Sequence, residues 1–227
     1  MLWVKICGMT NPEDAIVATE AGADAIGLIF APSKRQVSVA QAKEITRQLP
    51  KTMDKVGVFY NESAIQIEDV AAQAGLTAVQ LHGDETPDFA HKLFEQGSRH
   101  NRSRMRVFKT LHVTAGIEAI ARGFLADGAV DGFLFDSVVQ DATTGETLRG
   151  GTGQTFDWQM VNELFPAAKS ETRIIVAGGL KPANVGEAIR MTQPWGVDVC
   201  SGVEREPGKK DWAKVKAFIA AARDARG

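Results

Sequence analysis

The chain of 227 residues is short of cysteine, of charge imbalance and of long apolar runs, and each shortage excludes something. Cys7 and Cys200 are its two cysteines, enough for one bridge at most. The amino-terminal residues lack a signal peptide's charged and apolar regions, so free thiols in a reducing cytoplasm are expected. No apolar run approaches the ~20 residues that span a bilayer, so no membrane segment is expected. A net charge of −2 supplies no field that would draw nucleic acid or an anionic membrane. No cluster has zinc-ligand spacing, and neither G-x-S-x-G nor a dinucleotide fingerprint occurs. Linkers and low-complexity tracts are missing too, so residues 1–227 read as one domain. With 44% hydrophobic and 24% charged residues, that domain can bury a sizeable core.

What is present is a regular alternation of short apolar runs with amphipathic stretches. Strands are expected over 4–7, 25–30, 56–59, 78–81, 106–110, 132–135, 173–177 and 197–200. Helical patterns separate them, with Ser63, Thr86 and Asp211 suited to N-caps and Gly22, Gly75 and Gly97 suited to stops. Strands joined by single helices make parallel βαβ units. Eight such units favour an α/β fold of the closed (β/α)8 TIM-barrel type over an open doubly wound sheet of about five or six strands. Two insertions stand out. The basic segment 96–105 is expected to be a solvated loop, and the polar, glycine-rich segment 137–153 either a lid over the active face or a disordered excursion.

In this barrel, catalytic groups sit at the carboxyl ends of the strands. Those positions hold Cys7, then Ser33, Lys34 and Arg35, then Asn61, His82, Lys109 with His112, Asp136, Gly178 with Gly179, and Ser201 with Gly202. Strand alternation puts Lys5 and Cys7 on one face and Val4 and Ile6 on the other. A lysine and a thiol sharing a face are costly unless that face lines a polar site. Gly178–Gly179 and Ser201–Gly202 end the seventh and eighth strands, the usual phosphate loops of the fold, where glycine amides approach an anion closely. Gly150, Gly151 and Gly153 are either a third phosphate contact or a hinge. Asp136 suits a helix cap, an ion pair or a catalytic acid. Arg35 suits a carboxylate, or else solvent. His82 is either a core residue or a catalyst, and Cys200 by default a small buried hydrophobe.

Seven segments in register, KICG at Lys5–Gly8, AIGLIF from Ala25, VQLHG from Val79, FDS from Phe135, GTG from Gly151, AGGL from Ala177 and DVCSGVE from Asp198, resemble phosphoribosylanthranilate isomerase. The resemblance covers essentially the whole chain. It implies a cytoplasmic enzyme of tryptophan biosynthesis, a monomer or homodimer, that takes a phosphorylated small molecule and no cofactor. The implied reaction is the Amadori rearrangement of N-(5-phospho-β-D-ribosyl)anthranilate to 1-(2-carboxyphenylamino)-1-deoxy-D-ribulose 5-phosphate. The family's general base falls on Cys7 and its general acid on Asp136. Its contact to the anthranilate carboxylate falls on Arg35 and its phosphate loops on Gly178, Gly179, Ser201 and Gly202, with Gly153 and Asp198 completing the substrate contacts. The chain departs from the family in having Lys34 where proline is frequent, and Cys200 where serine is frequent, a small-for-small exchange expected to matter little. Lys5 is expected to favour the Cys7 thiolate. Three rivals remain: an aldolase with Lys5 as Schiff-base lysine, a sugar-phosphate isomerase of histidine biosynthesis, which would use carboxylates at both catalytic strand ends, and a non-catalytic binder of phosphorylated metabolites.

Overall fold

A computed structural model describes residues 1–99, 105–112, 116–126, 128, 130–136, 138–140, 147–149, 158, 161 and 172–226. Eight parallel strands close into a barrel: β1 (Trp3–Ile6), β2 (Ala25–Ile29), β3 (Asp54–Phe59), β4 (Ala78–Leu81), β5 (Arg106–His112), β6 (Gly132–Asp136), β7 (Arg173–Val176) and β8 (Gly196–Val199). They pair in sequence order, and β8 returns to β1. The described helices are α1 (Pro12–Glu20), α2 (Val39–Thr46), α3 (Ala64–Ala74), α4 (Pro87–Arg99), α5 (Ile117–Ala126), α6 (Val185–Thr192) and α7 (Trp212–Asp224). Among the described residues, no helix is long and apolar enough to cross a membrane.

Local chemistry sets the helix ends. Ser63 Oγ accepts from Gln66 N at 3.3 Å, Thr86 Oγ1 from Phe89 N at 3.3 Å, and Asp211 Oδ1 from the amides of Ala213 and Lys214. Each satisfies amides that a helix start leaves unpaired. Gly75 ends α3 in the left-handed conformation, at φ 65°. Gly97 does not stop its helix: α4 continues to Arg99, so the first residues of the 96–105 insertion are helical and not loop. Residues 100–104 lie outside the described set. Within the 137–153 insertion, Val138–Gln140 and Thr147–Arg149 pair as an antiparallel ribbon. The rest of that segment, including Gly150, Gly151 and Gly153, lies outside the described residues, as does any lid role for it.

Strand parity sorts the core. Val4, Ile6, Ile26 and Leu28 face outward and pack beneath α1, α2 and α7, while Val79, Leu81, Val107, Phe133 and Phe135 do so beneath α3, α4 and α5. Each such side chain contributes about 1.5–3 kcal/mol on burial. Inside the barrel, Trp3, Ala25, Val56, Ala78, Phe108, Leu134 and Ile175 form an apolar plug, with Trp3 stacked on Trp195. Above the plug the interior turns polar, beginning with Lys5, Gln80, Thr110 and Asp198.

Candidate active site

The polar layer is a hydrogen-bonded chain across the barrel. Lys5, 1% exposed, donates through Nζ to Asp198 Oδ2 at 2.9 Å and to Gln80 Oε1 at 2.6 Å. Gln80 Nε2 in turn donates to Thr110 Oγ1 at 3.0 Å, and His82 Nδ1 lies 3.2 Å from Gln80 Nε2 and 3.1 Å from Thr110 Oγ1. Burial favours a neutral Lys5 amine, but the Asp198 carboxylate and the nearby thiols outweigh it, and its pKa is raised. Lys5 is therefore a held cation, which removes the nucleophilic amine that an aldolase would need.

One layer higher, a cavity of about 670 Å³ is lined by Cys7, Arg35, His82, Asp136, Asp198 and Cys200, among others. The expected face-sharing of Lys5 and Cys7 is found. Gly27 on β2 makes room for both: a Cβ there would lie 2.5 Å from Cys7 Sγ and 2.9 Å from Lys5 Cε. Cys7 is 6% exposed and shares the cavity wall with Cys200, whose Sγ lies 3.9 Å from Glu204 Oε1. The neighbouring Cys200 and burial push the Cys7 thiol well above its ordinary range, against the pull of Lys5. Cys200 moves the other way, because Cys7, with Lys210 and Arg35 nearby, outweighs its burial. One expectation is corrected: Cys200 is no inert small hydrophobe but lines the cavity beside Cys7. Lys5 does favour the Cys7 thiolate, as expected, but Cys200 and burial outweigh it.

Arg35 reaches the cavity from the loop after β2. Its Nε lies 2.9 and 3.0 Å from the two Glu204 oxygens, and its Nη2 lies 2.7 Å from Oε2. Lys210 Nζ meets Glu204 Oε1 at 3.0 Å and the Cys200 carbonyl at 3.3 Å. Burial pushes the Glu204 carboxyl up, but the Arg35 hydrogen bonds and Lys210 win and hold it below its ordinary value. The Nε side of the Arg35 fork is thus engaged by the protein. A guanidinium carries five N–H groups, so its outer Nη1–Nη2 edge still presents donors to a second carboxylate.

Asp136 ends β6 at 7% exposure and lines the same cavity as Cys7, three strands round the barrel. Asp198 Oδ1 is buried with no hydrogen-bond partner among the described residues, although its other oxygen holds Lys5. Gly178 and Gly179 take positive φ, 72° and 64°, in the turn after β7. Ser201–Val203 forms a short 3-10 turn after β8, where a Cβ on Gly202 would collide with Leu180 O, so the two loops touch backbone to backbone. Two expected strand-end residues stand apart. β5 runs two residues further than expected, which puts Lys109 mid-strand on the outer face, where its Nζ lies 2.7 Å from Glu85 Oε2 and 2.6 Å from Gly83 O. Asn61, left-handed at φ 51°, ties the loops after β3 and β4 together through Asp84 N, and does not line the cavity. His112 Nε2 donates to His82 O at 3.3 Å, with its ring edge-on to that of His82.

Sequence reasoning misses Gln80, Thr110, Glu204 and Lys210. The alternation of Gln80 with His82 is a usable signal for the first. The tie from Glu204 to Arg35 joins the loop after β2 to the antiparallel pair Glu204–Glu206 and Lys209–Lys210, 169 residues later, which no local pattern announces.

The family model for N-(5'phosphoribosyl)anthranilate (PRA) isomerase matches residues 4–221. The N-(5'-phosphoribosyl)anthranilate isomerase of Trichlorobacter lovleyi is 41% identical over 226 residues, covering 99% of this chain and 100% of that one. Among solved structures, monomers of the dimeric enzyme of Thermotoga maritima superpose with a TM-score of 0.78 at 38% identity, covering 99% and 100% of the two chains. A phosphoribosyl anthranilate isomerase in complex with reduced 1-(o-carboxyphenylamino)-1-deoxyribulose 5-phosphate superposes with a TM-score of 0.79 at 36% identity, with the same coverage. Sequence and barrel agree from end to end of the match: this chain belongs to the N-(5'-phosphoribosyl)anthranilate isomerase family.

Proposed function

We propose that Cys7 and Asp136 are the base and the acid with which this isomerase converts N-(5-phosphoribosyl)anthranilate to 1-(2-carboxyphenylamino)-1-deoxy-D-ribulose 5-phosphate in tryptophan biosynthesis. The observation that carries the assignment is that one cavity takes a thiol from β1 and a carboxyl from β6, on strands far enough apart to flank a substrate. Asp136 delivers a proton to the ribose ring oxygen, and the ring opens to an iminium. Cys7 removes the C2 proton, and the resulting enolamine tautomerises to the ketone. Cys200, on the cavity wall beside Cys7, offers the Cys7 proton an acceptor, and the two thiols titrate as a pair.

The remaining residues position the substrate. The outer edge of Arg35 pairs with the anthranilate carboxylate. Gly178, Gly179, Ser201 and Gly202, with the N-terminal end of α6 beyond the first loop, hold the phosphate, and Gly153 completes that set. Asp198 Oδ1 accepts from a sugar hydroxyl. Residues 1–227 act as one catalytic barrel in the cytoplasm, alone or as a homodimer such as the one of Thermotoga maritima.

Loss of phosphoribosylanthranilate fluorescence tests the reading. Wild type turns the substrate over, and Cys7→Ala and Asp136→Asn each lower kcat by about 10²–10⁴-fold. Normal turnover in either variant removes that residue from the mechanism; an inactive wild type removes the function.

A further inference from the structure

The isomerisation consumes no electrons, yet its cavity holds two thiols side by side. The β1–β8 register pairs Lys5 with Asp198 and Ile6 with Val199, and Cys7 N donates to Val199 O at 2.8 Å. One step further sets Cys7 opposite Cys200. Adjacent strands lie ~4.8 Å apart, within the Cα separation of ~4.4–6.8 Å that a disulfide spans. Two residues earlier on the same inner face, Lys5 and Asp198 touch at 2.9 Å, so both thiols point into the barrel. The walls narrow their choices. A Cβ on Gly27 would sit 2.5 Å from Cys7 Sγ, and one on Gly8 would sit 2.8 Å from Cys200 Sγ. Three cations, Lys210, Arg35 and Lys5, and the two carboxylates they bind, Glu204 and Asp198, surround the pair, and the cavity opens it to small solutes.

We propose that Cys7 and Cys200 are an oxidisable dithiol, converted by peroxide to a disulfide that switches the isomerase off and that thiol reductants reverse. The Cys200 thiolate attacks the O–O bond of hydrogen peroxide, forming an S–O bond and expelling hydroxide, which takes up a proton to leave as water. Cys7 sulfur then attacks the Cys200 sulfenic sulfur. The S–S bond forms, the S–O bond breaks, and the hydroxyl leaves as a second water with the Cys7 proton. Two thiols and one peroxide become one disulfide and two waters, with two electrons passing from sulfur to oxygen. The disulfide sulfur of Cys7 carries no thiolate, so the C2 proton has no acceptor.

Treatment of the full-length protein with hydrogen peroxide, followed by alkylation and mass spectrometry, tests this without needing turnover. The expected product is lighter by two hydrogens, resists alkylation at both cysteines, and yields a peptide linking Cys7 to Cys200. Its isomerase activity falls by about 10²–10⁴-fold and returns with dithiothreitol. In Cys200→Ser, compared with its own untreated activity, the linked peptide is absent, and activity lost to excess peroxide stays lost because Cys7 proceeds to the sulfinic acid. Two alkylatable cysteines in the inactivated wild type would overturn the proposal. So would reversible inactivation of Cys200→Ser to the same extent as wild type. A failed isomerase assignment would leave the linked peptide untouched, so the two readings fail separately.

Discussion

Two buried lysine–carboxylate pairs stand on either side of the barrel wall, and their chemistry is nearly the same. Lys5–Asp198 is 2.9 Å long inside the barrel; Lys109–Glu85 is 2.7 Å long outside it. Inside, the pair lies on the floor of the cavity that Cys7 and Asp136 line. Outside, it fastens mid-β5 to the loop after β4, where Glu85 also accepts from the amides of Asn61 and Gly83. Burial and partner type do not separate an ion pair beneath the cavity from one that anchors a loop here. The face of the strand does, and that is a matter of one residue of register.

The largest effect that would sharpen this contrast is on Lys5→Met. It strands the Asp198 carboxylate in a buried layer, an uncompensated charge that costs about 3–5 kcal/mol, and it displaces the floor under Cys7. Stability by urea unfolding and kcat/KM should both fall, the latter by roughly 10²-fold per folded molecule. Unchanged turnover would reduce the inner pair to the same role as the outer one. Next in size, Lys109→Met strands Glu85 at a similar cost of about 3–5 kcal/mol, while the folded fraction keeps the wild-type kcat/KM. A fall in kcat/KM that persists at full folding would place Lys109 in the site after all.

The smallest effect is in the pH dependence of stability. The Lys5 pKa is raised, so its contribution is complete below the ordinary lysine value of 10.5 and is lost as pH climbs through the folded value above it. The Glu204 pKa is lowered, so its contribution is complete above the ordinary 4.5 and is lost as pH drops through the folded value below it. Unfolding curves across pH should show both edges in wild type. Glu204→Gln should weaken the acid edge and leave the alkaline one; an identical acid edge in the variant would mean that Glu204 gains nothing from Arg35 and Lys210.

Much of the fold is legible in the chain because its signals are local. The caps at Ser63, Thr86 and Asp211 work through amides two or three residues away, and the alternation in Val4–Lys5–Ile6–Cys7 names the inner face of β1 correctly. Lys109 shows where such reading fails. Ending β5 at Thr110 makes Lys109 a strand-end residue, whereas two more residues of strand, to His112, leave it in mid-strand on the outer wall. Gly97 fails differently: a glycine costs a helix only about 1 kcal/mol, which the surrounding turns of α4 can offset.

The sequence by itself determines that eight βα units form a closed barrel and that polar residues gather at the carboxyl ends of its strands, with Cys7 and Asp136 among them. Periodicity and capping act over a few residues and need no knowledge of the rest of the chain. Tertiary structure alone decides that Cys200 shares a cavity wall with Cys7, that Glu204 binds Arg35 and Lys210, and that the Lys5 cation is paired with Asp198. Those contacts arise when β8 closes against β1, 193 residues apart at Lys5 and Asp198. Their energies depend on distance and dielectric in the closed barrel, quantities that spacing along a chain does not carry.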